Sequence, residues 1–211
     1  MSRGSTKEAE EEKYEKNLDD SIYARRVDNV VRRSTLRLGV SGMGLNQLGD
    51  EKNANSYFGD KALAGYIDIF GPGRNDIFSS GIGFIFRHME MKDRHDLAGV
   101  GVLDILGFNV AMRFFLLHFD FLWSIWSPYI IIDTRIVYVE STTISTGPDK
   151  KLGSLASFAS LGVSARAGVQ WSIAETFGFY AEALYGYTPV GKRETNIDGL
   201  QIVAGMLLRF K

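Results

Sequence analysis

The chain has no cysteine among its 211 residues. That excludes disulfides, thiolate catalysis and cysteine-based zinc sites together, and it suits passage through an oxidising compartment. No uninterrupted run of about 18 apolar residues occurs, so no transmembrane helix is expected. The charge is close to balanced, with 24 Lys and Arg against 25 Asp and Glu and a formal net charge of −1. No bulk field therefore points to nucleic acid. Met1–Asn17 is charged and has no apolar core like that of an export signal, so the sequence reads as a mature, processed form. Histidine is scarce, with only His88, His95 and His118. The Gly-rich pieces, Gly81–Gly83 and Gly99–Gly101, lie in or beside strand patterns, where glycine permits close packing of a wall, and they are not nucleotide loops.

What is abundant is alternation. From Ala159 to Ile173 every odd residue is apolar (Ala159, Leu161, Val163, Ala165, Ala167, Val169, Trp171, Ile173), and every even one is small, polar or charged. A strand points successive side chains to opposite faces, so this segment has one apolar and one polar face. At about fifteen residues it exceeds the usual strand of a soluble domain. A long tilted strand of this kind suits a closed barrel crossing a bilayer. The mean hydropathy of −0.05 does not oppose this, because half of each such strand faces a polar lumen.

The pattern recurs eight times, at about Thr35–Met43, Ala62–Phe70, Ile77–His88, Leu103–His118, Tyr129–Thr142, Ala159–Ile173, Phe177–Tyr187 and Leu200–Phe210. The connections at Leu45–Lys61, Met89–Gly99, Thr143–Leu155 and Thr188–Asp198 are long. Those at Gly71–Asp76 and Ala174–Thr176 are short. Long loops on one side and tight turns on the other place both termini on the short-turn, periplasmic side. The fold class is therefore all-β: an eight-stranded antiparallel transmembrane β-barrel at 34–211, preceded by a charged extension at 1–33. That extension is rich in Glu and Lys, then in Arg25, Arg26, Arg32 and Arg33. It is read as a disordered, solvated tail or partly ordered helix, or alternatively as a periplasmic helix that docks on a partner or on the barrel mouth.

Phe119–Ser127 is the connection that breaks the pattern. Phe119, Phe121, Trp123 and Trp126, with Trp171, are read as a periplasmic aromatic girdle, because amphipathic rings favour the membrane interface. The last strand presents Ile202, Ala204, Met206, Leu208 and Phe210 at every second position. In this it resembles the assembly signal of bacterial outer-membrane barrels, with Lys211 following the aromatic where that group usually ends. Together, the patterns at Arg33–Lys211 resemble the eight-stranded barrels related to the OmpA transmembrane domain, OmpX and OmpW. The resemblance implies a bacterial outer-membrane location, outer-membrane lipid and lipopolysaccharide as surroundings, and no cofactor.

The polar faces carry Arg37, Asp68, Arg87, Arg113, Asp133, Arg135, Arg166, Glu182 and Arg209. An eight-stranded barrel is barely wide enough for side chains. Buried charges there must pair or cost several kcal/mol each, so an Arg–carboxylate network is expected to fill the lumen. Asn109, Gln170 and Tyr180 are expected to complete it, with Arg166 a candidate partner for Glu182. The residue set suits a non-enzymatic structural or interaction protein. The alternative is a narrow, OmpW-like or porin-like conduit for small or apolar solutes, with the arginines favouring anions. A lipid A-modifying enzyme is a further reading. Arg87–Asp96 brings His88, Glu90, His95 and Asp96 together, a set able to act as a base or hold a metal weakly. That segment has no nucleophilic Ser or Thr, so no catalytic or metal site is assigned. Its Arg87, Lys92 and Arg94 suit lipid phosphates instead. A soluble lipocalin-like carrier would have to bury six arginines or expose a wide apolar belt, which excludes it.

Overall fold

The structure is a computed structural model that describes residues 13, 22, 24–25, 27–28, 31–42, 58–73, 77–91, 99–121, 124–145, 152–190, 195–196 and 198–210. The strands are β1 (Ser34–Gly42), β2 (Phe58–Phe70), β3 (Phe78–Met91), β4 (Gly99–Phe115), β5 (Phe119–Phe121), β6 (Ser124–Ser145), β7 (Leu152–Ser172), β8 (Phe177–Tyr187), β9 (Pro189–Val190), β10 (Thr195–Asn196) and β11 (Gly199–Phe210). Eight of them form the barrel wall in the order β4-β3-β2-β1-β11-β8-β7-β6, and β4 pairs with β6 to close it. All pairings are antiparallel, with Ser34 opposite Phe210 where the first and last strands meet. Closure leaves no free edge in the eight-stranded wall, which a bilayer demands. The three short strands are additions: β5 folds against the start of β6, and β9 pairs with β10.

Period-2 patterning decides the two faces throughout. Along β7, the residues from Ala159 to Ile173 alternate between exposed or half-buried at odd positions and mostly buried at even ones. On β4, Leu106, Phe108, Val110, Met112 and Phe114 point outward across nine residues, while Asn109, Ala111 and Arg113 are buried between them. Nine to eleven tilted residues is about what the hydrocarbon thickness requires. The outward face is thus an apolar belt, and the architecture is that of an outer-membrane-type barrel. On the lipid side the belt stops at a polar row. His88 faces Asp104, and Asp104 faces Glu140, on three neighbouring strands. At the other end lie residues 71–73, 116–121 and 173–176, the start of β1, the end of β11 and the aromatic rings.

Two boundaries differ from the sequence reading. The long strand after the aromatic connection begins at Ser124, not Tyr129. Trp126 is therefore a strand residue, paired with Trp171 on one side and Phe119 on the other. Pro128 lies within it, a residue that short-range reasoning takes for a strand start. The interior is also less polar than its arginines imply. Phe70, Phe115, Ile125 and Ile131 point inward and form a buried cluster with Ala111, Tyr129 and the helical residues Val27 and Val31. A second apolar layer holds Ile85, Leu184, Val203 and Leu207.

Candidate functional site: the lumen and its inner mouth

The inner wall leaves room for large side chains by placing glycine opposite them. A Cβ on Gly39 would collide with the Tyr180 hydroxyl, and one on Gly83 would strike the side chains of Asn109 and Asp68. Into that space project four buried carboxylates, each shared by two arginines. Asp198 accepts from Arg87 Nη2 at 3.1 Å and Arg135 Nη1 at 3.4 Å. Asp133 lies 3.1 Å from Arg135 Nη2 and 3.0 Å from Arg166 Nη2. Asp68 lies 2.7 Å from Arg166 Nη1 and 3.8 Å from Arg37 Nη1. Glu182 accepts from Arg37 Nη2 at 2.5 Å and Arg166 Nη1 at 3.5 Å. The result is one alternating chain, from Asp198 through Arg135, Asp133, Arg166, the Asp68 and Glu182 pair, and Arg37.

Neutral groups continue it. Tyr129 donates its hydroxyl to Glu182 at 2.7 Å and accepts from Arg37 at 2.8 Å. Ser164 donates to Asp133 at 2.5 Å. Tyr66 donates to Gln201, and Thr188 to Asp198. The Arg37 guanidinium also lies 3.8 Å from the centre of the Tyr180 ring, a cation–π contact. Charges removed from water are tolerated only when paired and hydrogen-bonded like this.

The lumen departs from the sequence reading at three points, two of them among the nine residues named from it. Arg37, not Arg166, is the close partner of Glu182, while Arg166 engages Asp68 and Asp133 more tightly. Arg113 and Arg209 are buried but make no ion pair among the described residues. They stand at the inner end of the wall, among mostly apolar and neutral side chains, with the Arg33–Glu175 pair close to Arg209. Asp198, which sequence reasoning left in a loop, belongs to the lumen. The chain turns inward there and re-enters the wall at Gly199, whose φ of 84° is the left-handed conformation that glycine accepts readily. A carboxylate directly before such a glycine, and opposite two inward arginines, was the available signal.

The inner mouth is occupied. Val31 is fully buried and Val27 nearly so, both against Phe70, Phe115 and their neighbours. The Gly73 amide donates to the Val31 carbonyl at 3.0 Å, and Arg33 pairs with Glu175 in the turn before β8 at 2.9 Å. Val31 and Arg33 are thereby held to two different turns at this end of the barrel.

The aromatic residues form a ladder on the outer wall near that mouth. Phe119 stacks on Trp126 at 6.4 Å, Trp126 on Trp171 at 5.4 Å, and Trp171 meets Phe179 at 6.3 Å, between ring centres. Trp123 lies outside the described residues, and Phe121 is described by its backbone alone. Ile202, Met206, Leu208 and Phe210 all face outward. Of the histidines, His88 pairs with Asp104 at 2.7 Å at the outer border of the belt. His118 bonds Ser127 at 2.7 Å and packs on Phe115. Lys92, Arg94, His95 and Asp96 lie outside the described residues.

No protein-family model and no curated protein matches the chain. Among solved structures, Neisserial surface protein A is similar at 13% identity over 84% of this chain and 96% of that chain, with a TM-score of 0.45. Ail, the attachment invasion locus protein of Yersinia pestis, is similar at 14% identity over 85% and 99%, with a TM-score of 0.45. The N-terminal β-barrel domain of Pseudomonas aeruginosa OprF is similar at 13% identity over 85% and 98%, with a TM-score of 0.38.

Proposed function

We propose that this is a non-enzymatic structural and interaction barrel of the bacterial outer membrane. Its outward loops face lipopolysaccharide and the exterior, and its N-terminal extension engages a periplasmic or outer-membrane partner. One observation carries the reading: the lumen is spanned by a continuous ion-paired chain and shut at its inner end by Val27 and Val31, so it offers no ready passage. A barrel so filled is an anchor, and what it presents to water are its loops and tail. The belt and the aromatic ladder fix its depth in the membrane. The His88–Asp104 pair sits on the lipid-facing wall at the border of the belt, where it suits an interfacial hydrogen bond.

Planar-bilayer recording of the detergent-folded full chain tests this. Folded protein that stays electrically silent is the expected result. Discrete anion-selective steps would overturn the anchor reading and put a conduit in its place.

A further inference from the structure

The lumen does not balance its own charge. Among the described residues, six buried arginines (Arg37, Arg87, Arg113, Arg135, Arg166, Arg209) face four buried carboxylates (Asp68, Asp133, Glu182, Asp198), an excess of two positive charges. All four carboxylates are taken up by Arg37, Arg87, Arg135 and Arg166. The excess therefore resides on Arg113 and Arg209.

Arg113 has no exposed surface. Its Nε donates to the Ser79 hydroxyl at 3.0 Å, but both terminal nitrogens lack a hydrogen-bond partner. Its guanidinium lies near the Phe70 and Phe115 rings, at 4.4 and 4.7 Å from their centres. Ring faces offset only part of what a desolvated cation loses. Arg209 has only neutral partners, the Ser172 hydroxyl at 2.6 Å and the Ala174 carbonyl at 3.4 Å, and its Nε is unpartnered. Buried Gln170 has neither amide atom partnered. Arg113, Gln170 and Arg209 each lie within two residues of the inner end of their strands. Water could satisfy these N–H groups but would not cancel the charge. Phe70 and Phe115 are also the rings on which Val27 and Val31 pack, so bulk solvent is held away from Arg113.

We propose that the inner end of the lumen binds a small inorganic oxyanion of the phosphate or sulfate class. The two free terminal nitrogens of Arg113 are its ligands, and Arg209 supplies the second positive charge. A guanidinium with both terminal nitrogens free presents a planar fork that matches two oxygens of such an anion. Val27 and Val31 cover the inner side of the site. The proposal is independent of whether the loops or tail bind a partner.

The test is equilibrium binding of radiolabelled phosphate to the detergent-folded full chain in a gluconate background, where no small anion competes. Saturable binding of one phosphate per barrel, displaced by sulfate, is expected. In Arg113→Met it should weaken about 10- to 100-fold, the effect of losing charge-assisted hydrogen bonds. Exposed Arg25→Gln should bind like the parent. Thermal unfolding adds a readout of opposite sign. In phosphate-free buffer Arg113→Met should unfold at or above the parent temperature, because it removes an uncompensated charge. Only the parent should gain stability as phosphate is added. Should Arg113→Met not fold, Arg209→Gln is read for the same loss. Absence of saturable phosphate binding in the parent, or equal binding in the variants, would overturn the proposal.

Discussion

Replacing Glu182 by alanine isolates the energetics of the ionic chain. The carboxylate holds Arg37 at 2.5 Å and Tyr129 at 2.7 Å, with Arg166 at 3.5 Å. Without it, Arg166 keeps its contacts to Asp68 and Asp133. Of its carboxylates Arg37 keeps only Asp68, at 3.8 Å, beside its neutral contacts with Tyr129 and Tyr180. Breaking a buried pair by removing one partner costs about 3–5 kcal/mol, and the orphaned Tyr129 hydroxyl adds about 1 kcal/mol. A loss of about 4–6 kcal/mol is therefore expected for Glu182→Ala. The second variant, Arg37→Met, and the double variant complete a cycle. Deleting both charges removes the uncompensated cation, so the double variant should be more stable than the sum of the single losses by about 1–3 kcal/mol. Urea unfolding in lipid vesicles, followed through the fluorescence of Trp126 and Trp171 near the inner interface, gives the three differences. Glu182→Ala within about 0.5 kcal/mol of the parent, or strict additivity in the cycle, would refute the claim that this pair is energetically coupled.

Two further outcomes follow from packing. Because the chain has no cysteine, Val31→Cys and Ile22→Cys each introduce a single thiol; a membrane-impermeant maleimide should label position 22, which is 49% exposed, quickly and position 31, fully buried in the inner mouth, slowly. Equal labelling rates would show that the helical turn does not close the mouth. A Cβ on Gly205 would fall 2.1 Å from the Leu38 carbonyl oxygen and 2.7 Å from the Gly39 Cα, both backbone atoms that cannot rotate away, whereas a Cβ on Gly65 meets nothing within 4 Å. Gly205→Ala should therefore destabilise the barrel by about 1–3 kcal/mol and Gly65→Ala should be near neutral, as read by the same urea unfolding.

The wall was legible because one physical constraint acts on every residue of it. Lipid outside and a narrow lumen inside impose opposite solvents on alternate side chains, so parity alone places Phe84 outside and Arg87 inside, three positions apart on β3. The same parity put Arg37 and Glu182 in the lumen. It could not pair them, because they are 145 residues apart and meet only through the stagger of the closed sheet across β1, β11 and β8. Asp198 escaped for a different reason. It precedes a strand instead of lying in one, and no alternation exists there to show that its side chain turns inward. The start of β6 was hidden by Pro128 and by the cluster of rings, which local propensity assigns to a connection.

The barrel mouth was one of two destinations open to the extension from sequence, and nothing local marked Val27 and Val31 as the residues that enter it. Inward Phe70, Phe115 and Ile131 interrupt the polar face of their strands, and at such positions a polar lumen and an apolar vestibule predict different partners. The structure resolves this by dividing the lumen into zones of different chemistry. In the middle, four carboxylates and four arginines satisfy one another. At the inner end, phenylalanine, isoleucine and tyrosine form an apolar seat that water would disfavour, and Val27 and Val31 fill it. Arg113 stands at the boundary, its charge close to two ring faces and its terminal nitrogens unused. An apolar seat alone would have been simpler to build with a residue such as methionine at 113. A desolvated, unpaired guanidinium lowers the stability of the folded barrel unless a counter-charge reaches it, so the inner mouth, more than the ion-paired centre, is where a bound anion would add stability.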